Sequence, residues 1–217
     1  MNLESRARAH AALGDDRRLL IADILRYGDR TVLELGNATG LSGNLLAHHL
    51  GVMEDAGLVE RRVSEGDRRR RYVTLRRDAM ALLSQGRATT GDSVLFVCRH
   101  NSARSQYAAA RWQERTGATA PSAGEFPAET VNPIAVRVAS EFGLDLSGAI
   151  PRGYGSIEGP VDLLVSVCDR TRESPLPAAG THFHWSIPDP VASGTIRAFR
   201  RAFAEIDARI DNLARSI

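Results

Sequence analysis

The segment Val94–Tyr107, VLFVCRHNSARSQY, constrains the fold of this chain more than any other. Its opening run is apolar, β-branched or aromatic, as in a strand buried on both faces. The run ends at Cys98; five residues follow, then Arg104, Ser105 and a helix-like stretch, SQYAAARWQERTG. A loop closing between a strand and a helix N-terminus turns successive backbone N–H groups inward. Together with the helix dipole they bind a tetrahedral oxyanion. Arg99, His100, Asn101, Ser102, Ala103 and Ser105 would form that oxyanion loop. Arg104 would add a two-pronged charged donor to two oxygens of the anion. The same positive field favours the thiolate at Cys98, and the thiolate is the nucleophilic form. Ser105 is placed to donate to the sulfur, and Asn101 is a residue type that tolerates a left-handed loop conformation.

Around this segment, strand-like runs (VDLLVSVC, THFHWSI) alternate with helix-like ones (SQYAAARWQERTG, VNPIAVRVASEFG). That order predicts an α/β domain with a mainly parallel sheet. It closes with an amphipathic helix from about Thr195 to Ala214, whose face carries Ile196, Phe199, Phe203, Ile206 and Ile210. In HWSIPDP, Asp189 stands between Pro188 and Pro190, which fix the backbone and suit a carboxyl held in a set position. Displacing an oxygen from an oxyanion needs a general acid, and Asp189 is the candidate.

The first part of the chain follows another pattern. Ala11 to Tyr27 has apolar residues at helical spacing, Leu13, Leu20, Ile21, Ile24 and Leu25, and reads as one helix. Thr31 to Asn37 reads as a short helix. Ser42 would cap a third, running to about Ala56 with Leu45, Leu46, Leu50 and Met53 as its apolar face, and Gly57 would end it in a left-handed conformation. LVERRV and RRYVTL, joined by the polar tip SEGDRRR, predict a hairpin. Helix, turn, helix and hairpin is the order of a winged helix-turn-helix. SQGRATTGD, Ser84 to Asp92, is small and polar, as linkers are. The expected organisation is therefore a mainly helical domain over 1–85, a linker over 86–91 and an α/β domain over 92–217.

Composition sets limits. A chain of 217 residues is enough for one large domain or two small ones. The net charge of +2 argues neither for nor against nucleic acid, although residues 1–90 carry 15 arginines against 12 acidic residues and 91–217 carry 13 against 14. Two cysteines, Cys98 and Cys168, are no disulfide framework, so a reducing, cytoplasmic setting is expected. The polar start MNLESRARAH has no apolar core of a signal peptide, and no run approaches the ~18 apolar residues of a membrane span. No Cys/His spacing supports a metal site, and His182 and His184 simply alternate on a strand-like run.

The quoted motifs, with SAGEFPAETVNPIAVRVASEFGLDLSG and DLLVSVCDRTRESP, resemble the low-molecular-weight tyrosine phosphatase family over nearly all of 92–217, and within it the arsenate reductase branch. The resemblance implies a four-stranded parallel sheet, Cys98 as nucleophile, Arg104 as oxyanion clamp and Asp189 as acid. The phosphatase branch usually carries a second Cys just before the loop arginine and tyrosines near the acid; here Ala103 holds the first position and the acid loop has no Tyr. Arsenate and phosphate are both tetrahedral, so the loop does not choose between them; the next nucleophile does. Cys168 matches the first thiol of the thioredoxin-coupled relay, a candidate resolving thiol, but the second, near Ser174 or Pro175, is absent. Two routes remain: Cys168 attacks the adduct and an outside partner reduces the Cys98–Cys168 disulfide, or a small thiol attacks and Cys168 has no catalytic role. The expected reductant is external: mycothiol or glutathione with a glutaredoxin-like protein, or thioredoxin. No bound cofactor is implied.

Residues 11–77 resemble ArsR-type winged-helix regulators. By that resemblance Ser42, Asn44, His48 and His49 would face the major groove of double-stranded DNA, and Arg68, Arg69, Arg70 and Arg71 would contact phosphate or the minor groove, in a homodimer. There is no cysteine in residues 1–90, so a thiolate metalloid sensor there is excluded. The leading expectation is an arsenate reductase fused to a DNA-binding domain. The alternatives are a low-molecular-weight protein tyrosine phosphatase and an oxyanion-responsive transcriptional repressor.

Overall fold

Asp15 divides the helix expected over 11–27 into two. In the computed structural model, which describes residues 3–76, 79 and 93–215, α1 spans Leu3–Leu13 and α2 spans Asp16–Tyr27. The Asp15 carboxylate accepts from the amides of Arg17 and Arg18, satisfying two of the orphan donors of a new helix just after the helix-weakening Gly14. The expected linker, 86–91, lies outside the described residues. The chain divides into two compact units, residues 1–64 with 68–87 and residues 65–67 with 88–217.

In the first unit, α3 (Val32–Thr39) starts from a capping box in which Thr31 and Glu34 exchange side-chain and backbone bonds. Helix α4 spans Gly43–Asp55 with Ser42 at the capping position, although its side chain makes no capping bond. Gly57, at φ 71°, turns the chain off α4. Strands β2 (Val59–Val63) and β3 (Arg71–Leu75) pair antiparallel from Val59↔Leu75 to Val63↔Arg71. A two-residue β1 (Arg30–Thr31), too short to leave a pattern in the sequence, joins β3 on its other side. Ile21, Leu25, Leu35, Leu46, Leu50, Met53, Val73 and Leu75 form the core. Leu45, expected on the apolar face of α4, is 44% exposed. A helix turns about 100° per residue, so Leu46, Leu50 and Met53 share the inner face and Leu45 is rotated off it.

The second unit is the expected α/β fold, a four-stranded parallel sheet in the order β5-β4-β6-β7. The strands are β4 (Val94–Cys98), β5 (Ser122–Gly124), β6 (Leu163–Ser166) and β7 (Thr181–His184). The helices are α5 (Arg104–Thr116), α6 (Pro133–Glu141), the one-turn α7 (Asp169–Arg172) and α8 (Pro190–Ser193), and α9 (Ile196–Ala214). The apolar stripe of α9 is buried at Phe199, Phe203, Ile206 and Ile210. Each such side chain contributes about 1.5–3 kcal/mol by leaving water. Phe203 stacks on Tyr107 of α5 at 3.8 Å, and Phe96 of β4 lies 6.0 Å from both Trp112 and Trp185. Tyr107 and Arg111 both donate to Asp207, whose carboxyl is pushed up by burial despite those bonds. Among the described residues no helix is long and apolar enough to cross a membrane.

Candidate active site

Cys98, Cys168 and Asp189 all lie at or just past the carboxyl ends of parallel strands, where open α/β sheets place their ligands. Cys98 is the last residue of β4 and is 3% exposed; Arg104 opens α5. Between them the carbonyls of Arg99, His100 and Ser102 accept from the amides of Phe126, Ala128 and Asn132 at 2.8, 2.9 and 2.8 Å. No peptide among the described residues is cis. A trans peptide sets its N–H opposite its C=O, so the amides of His100, Asn101 and Ala103 point away from that segment, into the loop. This is the inward-facing cradle that an oxyanion requires.

Asn101 holds the loop. It is fully buried and sits at φ 48°, the one positive φ outside glycine among the described residues. Its Nδ2 donates to Ser105 Oγ at 2.8 Å and Ser122 Oγ at 2.9 Å; its Oδ1 accepts from Gln106 Nε2 at 3.0 Å and the Arg152 amide at 2.8 Å. All four bonding positions of the amide group are used. Ser105 Oγ lies 3.0 Å from Cys98 Sγ. Either atom could be the donor while Cys98 is a thiol; once it is a thiolate, the Ser105 hydroxyl, which accepts from Asn101, donates its proton to the sulfur. Strand β5 comes so close that a Cβ on Gly124 would lie 2.8 Å from the Asn101 nitrogen, which is why glycine stands there.

Arg104 is 5% exposed. It donates to the Ile187 carbonyl at 2.7 Å and pairs with Asp189 Oδ1 at 3.1 Å. Burial works against its charge, but the acid groups of Cys168, Asp189 and Cys98 around it outweigh that and raise its pKa above the ordinary value. The fold thus gathers Cys98, Arg104, Asp189 and Cys168 around one guanidinium. Asp189 is also the N-cap of α8, accepting from the Val191 amide at 3.2 Å, so its carboxylate is held from two directions. Of the remaining loop residues, Arg99 pairs with Glu125 at 3.3 Å, the exposed His100 bonds the Phe126 carbonyl at 2.9 Å, Ser102 is half-buried and Ala103 is buried. Cys168 is 1% exposed, and both cysteines are free thiols.

One group of supporting residues has no counterpart in the sequence reading. His184 Nε2 lies 3.2 Å from Asp169 Oδ1, and His184 Nδ1 lies 2.9 Å from Ser166 Oγ, which is also 2.9 Å from His182 Nε2. Burial alone would raise the Asp169 carboxyl, but the hydrogen bond and charge of His184 hold it below the ordinary value. Asp169 follows Cys168 directly, so the pair fastens β7 to the turn that carries this thiol. The alternation of His182 and His184 was the available signal; their common partner Ser166 is visible only once β6 and β7 are paired. Among the described residues no cluster of three His, Cys, Asp or Glu could hold a metal ion.

In the first unit, Ser42, Asn44 and His48 are exposed on the opening turns of α4, and Arg68, Arg69, Arg70 and Arg71 are exposed in the wing. His49 is a correction: it is 6% exposed, with Nδ1 3.7 Å from Asp15 Oδ1. It shares the inner face of α4 with Leu46, Leu50 and Met53 and turns away from the surface that His48 occupies.

Comparison with known proteins agrees with this geometry. The family model for low molecular weight phosphotyrosine protein phosphatases matches residues 93–217, and that of the bacterial regulatory protein, arsR family, matches residues 15–61. An arsenate reductase of Brevibacillus brevis is 37% identical over 128 residues, covering 56% of this chain and 93% of the relative. The crystal structure of an arsenate reductase from Archaeoglobus fulgidus is 34% identical, with a TM-score of 0.50 over 56% of this chain and 98% of that one. A structure of an arsenate reductase in its phosphate-binding state is 25% identical, with a TM-score of 0.52 over 58% of this chain and 98% of that one.

Proposed function

The chain belongs to the low molecular weight phosphotyrosine protein phosphatase family, and from that premise we propose that it is an arsenate reductase that uses an external thiol and carries a DNA-binding domain. The observation that carries the reading is the pairing of buried Arg104 with half-buried Asp189, 3.1 Å apart, at the mouth of a loop whose nucleophile Cys98 has Ser105 at 3.0 Å. Likeness to arsenate reductases over the same residues favours arsenate as the anion.

The chemistry runs in three steps. The Cys98 thiolate attacks the arsenic of hydrogen arsenate, and Asp189 in its acid form protonates the departing oxygen, which leaves as water; an S–As bond replaces an As–O bond. The loop amides and Arg104 hold the remaining oxygens as charge redistributes. An external thiolate then attacks the Cys98 sulfur. The S–As electron pair stays on arsenic, which falls from As(V) to As(III) and departs as arsenite, while the two sulfurs are oxidised to a mixed disulfide. A further thiol, from a glutaredoxin-like protein, reduces that disulfide and returns the Cys98 thiolate. On this route Cys168 has no catalytic role; the alternative is a Cys98–Cys168 disulfide reduced directly by an outside partner. Full turnover by Cys168→Ser with a small thiol is the expected outcome.

For the first unit the proposal is binding of double-stranded DNA as a homodimer. Exposed Ser42, Asn44 and His48 would enter the major groove, and Arg68–Arg71 would meet phosphate.

The test is arsenate-dependent consumption of reductant by the full chain with thioredoxin, glutathione–glutaredoxin and mycothiol systems in parallel, with Cys98→Ser as control and aryl-phosphate hydrolysis alongside. Turnover with one thiol system that Cys98→Ser abolishes supports the reading. Aryl-phosphate hydrolysis without any arsenate reduction would replace it with a phosphatase. Silence in both assays would replace it with an oxyanion-responsive regulator.

A further inference from the structure

Resting on the reductase reading, we infer that a cleft beside Asp189 seats the reducing thiol and selects a small thiol bearing carboxylates, of the glutathione class, through Arg197 and Arg201. The cleft has a volume of about 310 Å³ and runs from Pro188–Pro190 to the first turns of α9. That size is at the lower end for small-molecule sites, about 300–1,000 Å³. Pro188, Pro190, Ala198 and Ala202 give it apolar walls, and Arg197 and Arg201 are among its polar lining residues.

The two arginines stand one helical turn apart and so lie side by side. Both are exposed, and neither enters an ion pair among the described residues. Other arginines along this helix are engaged: Arg200 pairs with Glu141 at 2.6 Å and Arg209 with Glu205 at 3.2 Å. A pair of unengaged guanidinium groups over an apolar cleft is matched by a molecule with separated carboxylates and a short apolar middle, because each fork receives one carboxylate in two parallel bonds.

The position of the cleft connects it to the chemistry. Asp189 belongs to its lining and also pairs with Arg104. A thiol seated here therefore meets the reaction site across Asp189. Its thiolate forms the S–S bond with Cys98 while the S–As electron pair leaves with arsenite, as set out above. A dianionic adduct and a carboxylate repel an incoming anionic thiol, and two positive charges at the entry side offset that repulsion.

The experiment uses the full chain and S-methylglutathione, a thioether that cannot react. Calorimetric titration should show saturable binding to the wild type. Arg197→Glu/Arg201→Glu should weaken it about tenfold, the scale of two exposed charge pairs. The diethyl ester of the probe should bind the wild type as weakly. In turnover, the KM for glutathione should rise about tenfold while kcat and the KM for arsenate stay unchanged. Arg197→Gln/Arg201→Gln, which carries no new charge, should lie between the two. Absence of probe binding by the wild type, or binding indifferent to charge reversal, would overturn the inference even if arsenate is reduced with thioredoxin or a neutral thiol. Binding through the two arginines without any arsenate reduction would instead refute the reductase reading and leave the site standing.

Discussion

Replacing Asn101 tests whether one side chain holds the oxyanion loop. In Asn101→Ala, four groups lose their partner: Ser105 Oγ, Ser122 Oγ, Gln106 Nε2 and the Arg152 amide. Two have a second bond, Ser105 to Cys98 and Gln106 to the Ile150 carbonyl, and half-buried Ser122 can turn to water. The loss is then about 1 kcal/mol for the most enclosed group and about half that for each of the others. An alanine at φ 48° adds about 1 kcal/mol of backbone strain. The sum is about 3.5 kcal/mol, which for a unit of this size lowers Tm by about 14 °C. The chain's two tryptophans, Trp112 and Trp185, both lie in the second unit, so tryptophan fluorescence reports its unfolding without the first. Asn101→Gly, free of the strain, should recover about 1 kcal/mol. Asn101→Asp should separate stability from chemistry: Ser105 would donate to the new carboxylate and not to the Cys98 sulfur, so alkylation of Cys98 by iodoacetamide should fall more than stability does. An Asn101→Ala protein within about 0.5 kcal/mol of wild type in tryptophan-monitored urea unfolding would refute this account of the loop.

Other consequences are as direct. Gly124→Ala places a methyl against the backbone of Asn101 and Arg99, at 2.8 and 3.0 Å, so it should cost about 1–3 kcal/mol and reduce turnover; unchanged kinetics would show that the loop yields freely. The Asp169 carboxyl is held below its ordinary value of 3.8 by His184, so its contribution to stability is present above that value and lost as pH falls through the lower folded value. Asp169→Asn should abolish that acid-side component in unfolding measured from pH 5 to pH 2. His48→Ala should weaken binding of duplex DNA, whereas His49→Leu should leave it unchanged and alter stability by less than about 1 kcal/mol, because the buried His49 Nδ1 has no hydrogen-bond partner to lose; gel-shift titration beside thermal melting distinguishes the two.

Much of this was legible from local pattern. A buried apolar run, Cys98, five residues and Arg104 before a helix is a short-range instruction, and the strand–loop–helix unit follows from it. The stripe at Phe199, Phe203, Ile206 and Ile210 likewise specifies α9 through periodicity alone. Local reasoning could have gone further in two places. Gly14–Asp15 is a helix stop followed by a cap, and His49 is in step with Leu46 and Met53 where His48 is not.

Other features were decided by tertiary structure. Ser122–Gly124 has no apolar run and is a strand because Phe96–Cys98 offers it an edge and Gly124 has no side chain to keep the loop away. The pairing of Arg104 with Asp189, the bonds of Asn101 to Ser122 and Arg152 and the joining of His184 to Asp169 each connect positions well apart in the chain. Spacing within the sequence determines which side chains one helix or strand presents together. Which elements then face one another depends on the strand order β5-β4-β6-β7 and its register. Only after the chain has paid the entropy of closing those long loops do Cys98, Arg104 and Asp189 meet at one end of a sheet.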